Sequence, residues 1–123
     1  MLDSTGLTPK IYRYDVDTLT IEMELISGKD FTHVNPGEIT VETARRFISQ
    51  LDAFHRLHLY HGDMFNLEHY FLTDDNQIRL IDPIYMPTDN PRSGTTVDKQ
   101  QATDRALAIS TLKRLGVDPV VLE

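Results

Sequence analysis

The sequence predicts an α+β fold of short hairpins set between amphipathic helices. Three observations predict it. Leu19, Ile21, Met23 and Leu25 alternate with Thr20, Glu22 and Glu24, and a period of two marks a strand. Val41, Ala44, Phe47, Ile48, Leu51 and Phe54 recur at the spacing of one helix face. Two runs rich in β-formers, Tyr70–Leu72 and Ile78–Ile81, flank Thr73-Asp74-Asp75-Asn76-Gln77, whose residues favour a turn.

The elements follow in chain order. Residues 1–9, with Ser4, Thr5, Gly6 and Pro9, read as a loose lead-in. A β-hairpin is expected over residues 10–26, from Ile11-Tyr12-Arg13-Tyr14 through an Asp15–Thr18 turn, with the Met23 and Leu25 row in the core. Ser27-Gly28-Lys29-Asp30 is expected to break that strand, and Asn35-Pro36-Gly37 to turn the chain. Thr40 is suited to cap a helix over about 41–58, with Glu42 in its first turn. Residues 59–68 read as an irregular loop and 70–81 as a second hairpin. Residues 83–96, with three prolines and Gly94, read as a long surface loop. A last helix is expected over about 97–115, with Ala102, Ala106, Ile109 and Leu112 as its stripe and Gly116 as its stop.

Composition bounds the function. The 123 residues suit one domain with one modest core. A net charge of −7 argues against binding to nucleic acid or to an anionic membrane, since both reward a basic surface. There are no cysteines, so disulfides, zinc ribbons and thiol catalysis are excluded, and a cytoplasmic protein is expected. No apolar run approaches the roughly 20 residues that span a bilayer. Met1-Leu2-Asp3-Ser4 lacks the basic start of a signal peptide.

The chemistry concentrates in Leu57–Asp82, LHLYHGDMFNLEHYFLTDDNQIRLID. Phosphoryl transfer needs a carboxylate to orient the attacking hydroxyl and metal ions to offset developing charge. Asp63, on a tight loop beside a strand, suits the first need. Asp82, at the end of the neighbouring strand, suits the second, because Mg²⁺ favours hard oxygen ligands. Gly62 lets the backbone turn sharply before Asp63. His55, His58 and His61 lie three apart, a spacing that can also suggest a histidine metal site.

Leu51–Met64 resembles the helix and catalytic loop of the protein-kinase-like superfamily. It is most similar to the branch that writes the loop as HGD: aminoglycoside and choline phosphotransferases, RIO-type kinases and lipopolysaccharide core sugar kinases. The resemblance implies a hinge hairpin followed by a partial lower lobe. It implies Asp63 as catalytic base and Asp82 as a metal ligand, with His61 in a structural role under the loop. Leu19–Gly28 resembles the strand entering the nucleotide hinge, which implies Met23 as gatekeeper and backbone groups of Glu24 and Ile26 facing the base. Asp104-Arg105-Ala106-Leu107 resembles the start of the helix that supports the lower lobe. The likeness spans roughly residues 8–115.

The sequence departs from the family in three places. Glu68 stands where the family places a metal-binding Asn, with His69 beside it and Asn66 nearby as a substitute. Asp82-Pro83-Ile84 replaces DFG. The Gly-rich loop, the strand-borne Lys and its helical Glu have no counterpart in these 123 residues. A single truncated kinase-like domain is therefore expected over 1–123, acting as a degenerate phosphotransferase: a pseudokinase or interaction module. The alternative is an active kinase of a small molecule, sugar or protein hydroxyl, using ATP and Mg²⁺ held by Asp82 with Glu68 or His69, and completed by another chain or by a homodimer. A histidine-based metal-binding protein is the third reading. The open edges of the first hairpin call for a homodimer or protein partner to cover them.

Overall fold

A computed structural model describes residues 5–81 and 96–122. Strands β1 (Ile11–Asp15), β2 (Thr20–Met23) and β3 (Gly28–Asp30) precede helix α1 (Val41–Arg56). Strands β4 (Tyr70–Thr73) and β5 (Ile78–Leu80) follow, then helix α2 (Val97–Arg114). Short 3₁₀ turns lie at Phe31–His33, Leu67–His69 and Pro119–Leu122. The strands form two small antiparallel sheets, β1-β2 and β3-β4-β5, so the fold is mixed α+β. No helix among the described residues is long and apolar enough to cross a membrane. The expected loop over 83–96 falls, apart from Thr96, outside the described residues.

Helix α1 begins where Thr40 Oγ1 accepts the Thr43 N–H at 3.1 Å, which satisfies one of the first-turn donors that a helix leaves unpaired. Its stripe of Ala44, Phe47, Leu51 and Phe54 is fully buried. The helix ends at Arg56, two residues before the expected boundary, because His58 takes a left-handed conformation at φ 64°. Helix α2 stops as expected. Gly116, at φ 93°, donates to the Lys113 carbonyl, and Val117 donates to that of Leu112, the paired bonds of a Schellman cap.

The buried face of α2 differs from the expected stripe. Asp104, Ala108, Thr111 and Leu112 are buried, whereas Ala102 and Ala106 are exposed. The magnitudes account for the rotation. Burying an alanine methyl is worth about 0.8 kcal/mol. A buried carboxylate deprived of its partners costs roughly 3–5 kcal/mol, and the helix turns to give Asp104 those partners.

In the larger sheet, Tyr70 pairs with Leu80 and Leu72 with Ile78, the expected second hairpin. Its third strand, β3, is a departure from expectation. Ser27–Asp30 ends the first hairpin and then pairs again, Gly28 with Thr73 and Asp30 with Phe71. Glycine makes this pairing close enough, since a Cβ at Gly28 would lie 2.3 Å from the Leu72 carbonyl oxygen. The lead-in is also less loose than expected: Leu7 is fully buried, and its carbonyl accepts the Leu80 N–H at 2.8 Å. Phe31 stacks on Tyr70 at 4.9 Å, and Phe47 meets the same ring edge-on at 6.1 Å. These aromatics seat the sheet on α1.

The β1–β2 hairpin forms where expected, but its apolar row is not core. Leu25 is 93% exposed and Met23 50%. The two strands make a sheet of their own, and alternation specifies an apolar face without specifying what covers it.

Gly28→Ala is expected to lower stability by about 3 kcal/mol through forced separation of β3 from β4. Urea unfolding followed by circular dichroism checks it; an unchanged midpoint would contradict the close approach.

Candidate active site

The His61-Gly62-Asp63 loop is held from below by α2. Asp104, 1% exposed, accepts the His61 N–H through Oδ2 at 2.7 Å and the Gly62 N–H through Oδ1 at 3.1 Å. His55 Nε2 lies 3.2 Å from the same Oδ2. One turn earlier on α2, the Gln101 side-chain amide donates to the carbonyls of His55 and Leu59 at 2.8 and 3.0 Å. Gly62 supplies the sharp turn at φ 88°. Asp104 is thus the residue that organises the loop. Asp104 opens the Asp104-Arg105-Ala106-Leu107 stretch singled out in the sequence, and its spacing with Ala108, Thr111 and Leu112 places a carboxylate on a helical core face.

His61 links this loop to the end of β5. Its Nδ1 accepts the Asp63 N–H at 3.1 Å, so the ring proton resides on Nε2, which donates to the Ile81 carbonyl at 2.7 Å. Burial holds the His61 pKa below its ordinary value, against the opposing pull of the Ile81 carbonyl. A neutral ring is required here, because a protonated Nδ1 could not accept the Asp63 amide.

Asp63 remains reachable, with its side chain 24% exposed. His69 Nδ1 lies 3.1 Å from the Asp63 carbonyl oxygen and 3.4 Å from its carboxylate Oδ2. The His69 carbonyl in turn accepts the Ile81 N–H at 2.9 Å. Ile81 is therefore bonded on both sides to the loop that carries Asp63, and the chain leaves toward Asp82 from that point. Asp82 itself lies outside the described residues.

The remaining candidates are placed as follows. Glu68 is exposed, and its amide donates to Asn66 Oδ1 at 3.0 Å, so Asn66 caps the turn at Leu67–His69. Among the described residues, no group of three or more His, Asp or Glu side chains is arranged to hold a metal ion. Glu68 offers the hard oxygen that Mg²⁺ favours, whereas His69 offers only nitrogen, a poor match to that ion. The described residues alone do not make a magnesium site. Nor are the three spaced histidines gathered: His55 faces Asp104, His61 faces Ile81, and His58 lies past the end of α1.

Met23, Glu24 and Ile26 meet at an open cleft of about 440 Å³, whose walls include Ile11, Ile21, Phe71 and Ile81. That volume falls within the range of about 300–1,000 Å³ usual for small-molecule pockets. Among the described residues, the Ile26 amide and carbonyl make no backbone hydrogen bond outside the sheets. The Glu24 N–H, expected to face the base, instead donates to the Lys10 carbonyl at 2.8 Å, and its carboxylate is engaged by Arg79 and then the Lys10 N–H, which hold its pKa down to about 2. Ile81 belongs to both regions, lining the cleft while its backbone is tied to His61 and His69. Ile81 is thus the residue shared by the cleft and the Asp63 loop.

A scan against protein-family models and a search of curated proteins each return no match to this chain.

Asp104→Asn is expected to cost about 2–3 kcal/mol, because an amide cannot accept from every donor now facing the carboxylate. Hydrogen exchange at the His61 and Gly62 amides should quicken by at least tenfold; unchanged exchange would remove Asp104 from its organising role.

The His61 shift carries a sign. Its folded pKa is lowered below the ordinary 6.5, so the unfolded chain binds the proton more readily. The penalty is absent above that value and grows as pH falls through it. Imidazole NMR titration should place the His61 midpoint below 6.5, and a higher midpoint would contradict the neutral buried ring.

Proposed function

We propose that this chain is a kinase-like nucleotide-binding module, incomplete as a phosphotransferase, that works chiefly through interaction with a partner. The observation that carries the reading is the double role of Ile81. It lines the cleft beside Met23, Glu24 and Ile26, and its backbone is fastened to the loop bearing Asp63. A nucleotide base in the cleft would direct its phosphates toward that loop. The apolar lining favours a flat heterocycle, and the Ile26 backbone offers donor and acceptor groups at its edge.

The interaction role is supported by the first hairpin. Among the described residues, eight of the eleven exposed large hydrophobics fall within residues 11–25. Apolar side chains concentrated so tightly mark a contact surface, and a protein partner or second copy of the chain would bury them. The second reading, a kinase active once completed by another chain, is favoured by one feature. The Asp63 carboxylate is accessible, and His69 stands beside it. In that reading Asp63 orients the substrate hydroxyl, and Mg²⁺ supplies charge neutralisation when bound near Asp82.

ATP with Mg²⁺ is expected to raise the melting temperature by about 4 °C at saturating nucleotide, and Asp82→Ala should abolish the rise. A flat response across millimolar nucleotide would sink the nucleotide reading for this chain. Asp63→Ala should leave the rise intact while removing any phosphoryl transfer that the completed assembly performs.

A further inference from the structure

Among the described residues, the polar contacts between the first hairpin and the body all lie at its base. Among the described residues, no hydrogen bond or ion pair joins residues 11–23 to the rest of the chain. Their polar contacts, such as Arg13 Nη2 to Glu22 at 3.1 Å, stay within the hairpin. Every residue of β1 and β2 except Asp15 is exposed. The cleft separates Ile11, Ile21 and Met23 from Phe71 and Ile81 on the body. Close apolar packing therefore does not set the angle of the hairpin.

Among the described residues, one side chain of the three-stranded sheet reaches the base of the hairpin. Arg79 on β5 donates from Nη1 to Glu24 Oε2 at 2.6 Å and from Nη2 to Oε1 at 2.8 Å. The same Nη2 donates to the Thr8 carbonyl at 2.8 Å. Thr8 precedes β1 and Glu24 follows β2, so one guanidinium grips both strands where they leave the body. The Glu24 carboxylate closes the base by accepting the Lys10 N–H at 3.1 Å. A two-point fork fixes an angle, whereas a single charged contact fixes only a distance. The Arg79 side chain is 13% exposed and that of Glu24 26%, so the pair is partly shielded from water and salt.

We propose that the Glu24–Arg79 pair is a latch that sets the angle of the β1–β2 hairpin, and with it the width of the apolar cleft. The hairpin is a flap that swings as one piece when the latch opens. Its own ladder and the Arg13–Glu22 pair keep it intact as it moves. The device operates whichever ligand the cleft accepts, and so stands apart from the nucleotide reading.

The test uses the cysteine-free background. Spin labels at Val16→Cys and Ser110→Cys report the distance from flap to α2, and labels at Glu42→Cys and Ser110→Cys report the spacing of the two helices. All three positions are exposed. The latched chain should give a narrow flap-to-body distribution. Glu24→Gln and Arg79→Lys should each broaden it and shift its mean while the helix pair stays unchanged. Arg79→Lys is the sharper variant, because it keeps the charge and loses the fork. The latch is overturned if the flap distribution is already broad with the pair intact. It is equally overturned if both variants leave it narrow, or if the helix pair broadens as much, which would make Arg79 a support of the body.

Discussion

The buried Asp104 carboxylate is the constraint around which the lower part of the structure is arranged. An ionised carboxylate taken out of water is tolerated only when its lone pairs are filled. Here the fillers are the amides of His61 and Gly62 and the ring of His55. Meeting them rolls α2 so that Ala102 and Ala106 face outward. It also pins the end of α1 against the start of the loop. The backbone amides satisfied in this way belong to residues with no strand or helix partner, and a loop so supported can present a side chain rigidly.

From that anchor, order passes upward through hydrogen bonds. His61 joins the loop to Ile81, and His69 joins Ile81 back to Asp63. The His61 imidazole makes both ends of its bridge, through a tautomer that its partners impose, whereas the His69 ring holds Asp63 and its main-chain carbonyl holds Ile81. Tyr70 adds a buried hydroxyl that donates to the Met64 carbonyl at 2.6 Å, and burial raises its pKa. The Asp63 carboxylate emerges at the rim of this network, partly open to water.

The upper part obeys a different rule. The three-stranded sheet is packed against α1 by Phe31, Phe47 and Tyr70, where apolar area supplies the stabilisation. Among the described residues the first hairpin has no such backing, and it is held by the ionic fork of Arg79 at its base. Electrostatic attachment is directional and less area-dependent than apolar packing. It suits an element that must keep its position while leaving a cleft beneath it open.

Local sequence determines both hairpins, both helices, the Thr40 cap and the Gly116 stop, because these depend on residues within a few positions of one another. Thr40, Gly116 and the 70–81 hairpin were legible for that reason, and so was the candidate Asp63 on its glycine turn. Tertiary structure decides what local patterns leave open. It gives β3 a partner across 45 residues, Gly28 against Thr73, and buries Leu7 beside β5. It leaves Met23 and Leu25 uncovered although their alternation matches that of a core strand. It turns Asp104 inward against the apolar pattern of its helix. The physical reason is common to all four. Whether a side chain is buried depends on what another segment brings to it, and a polar group with fixed partners can outweigh several small apolar ones.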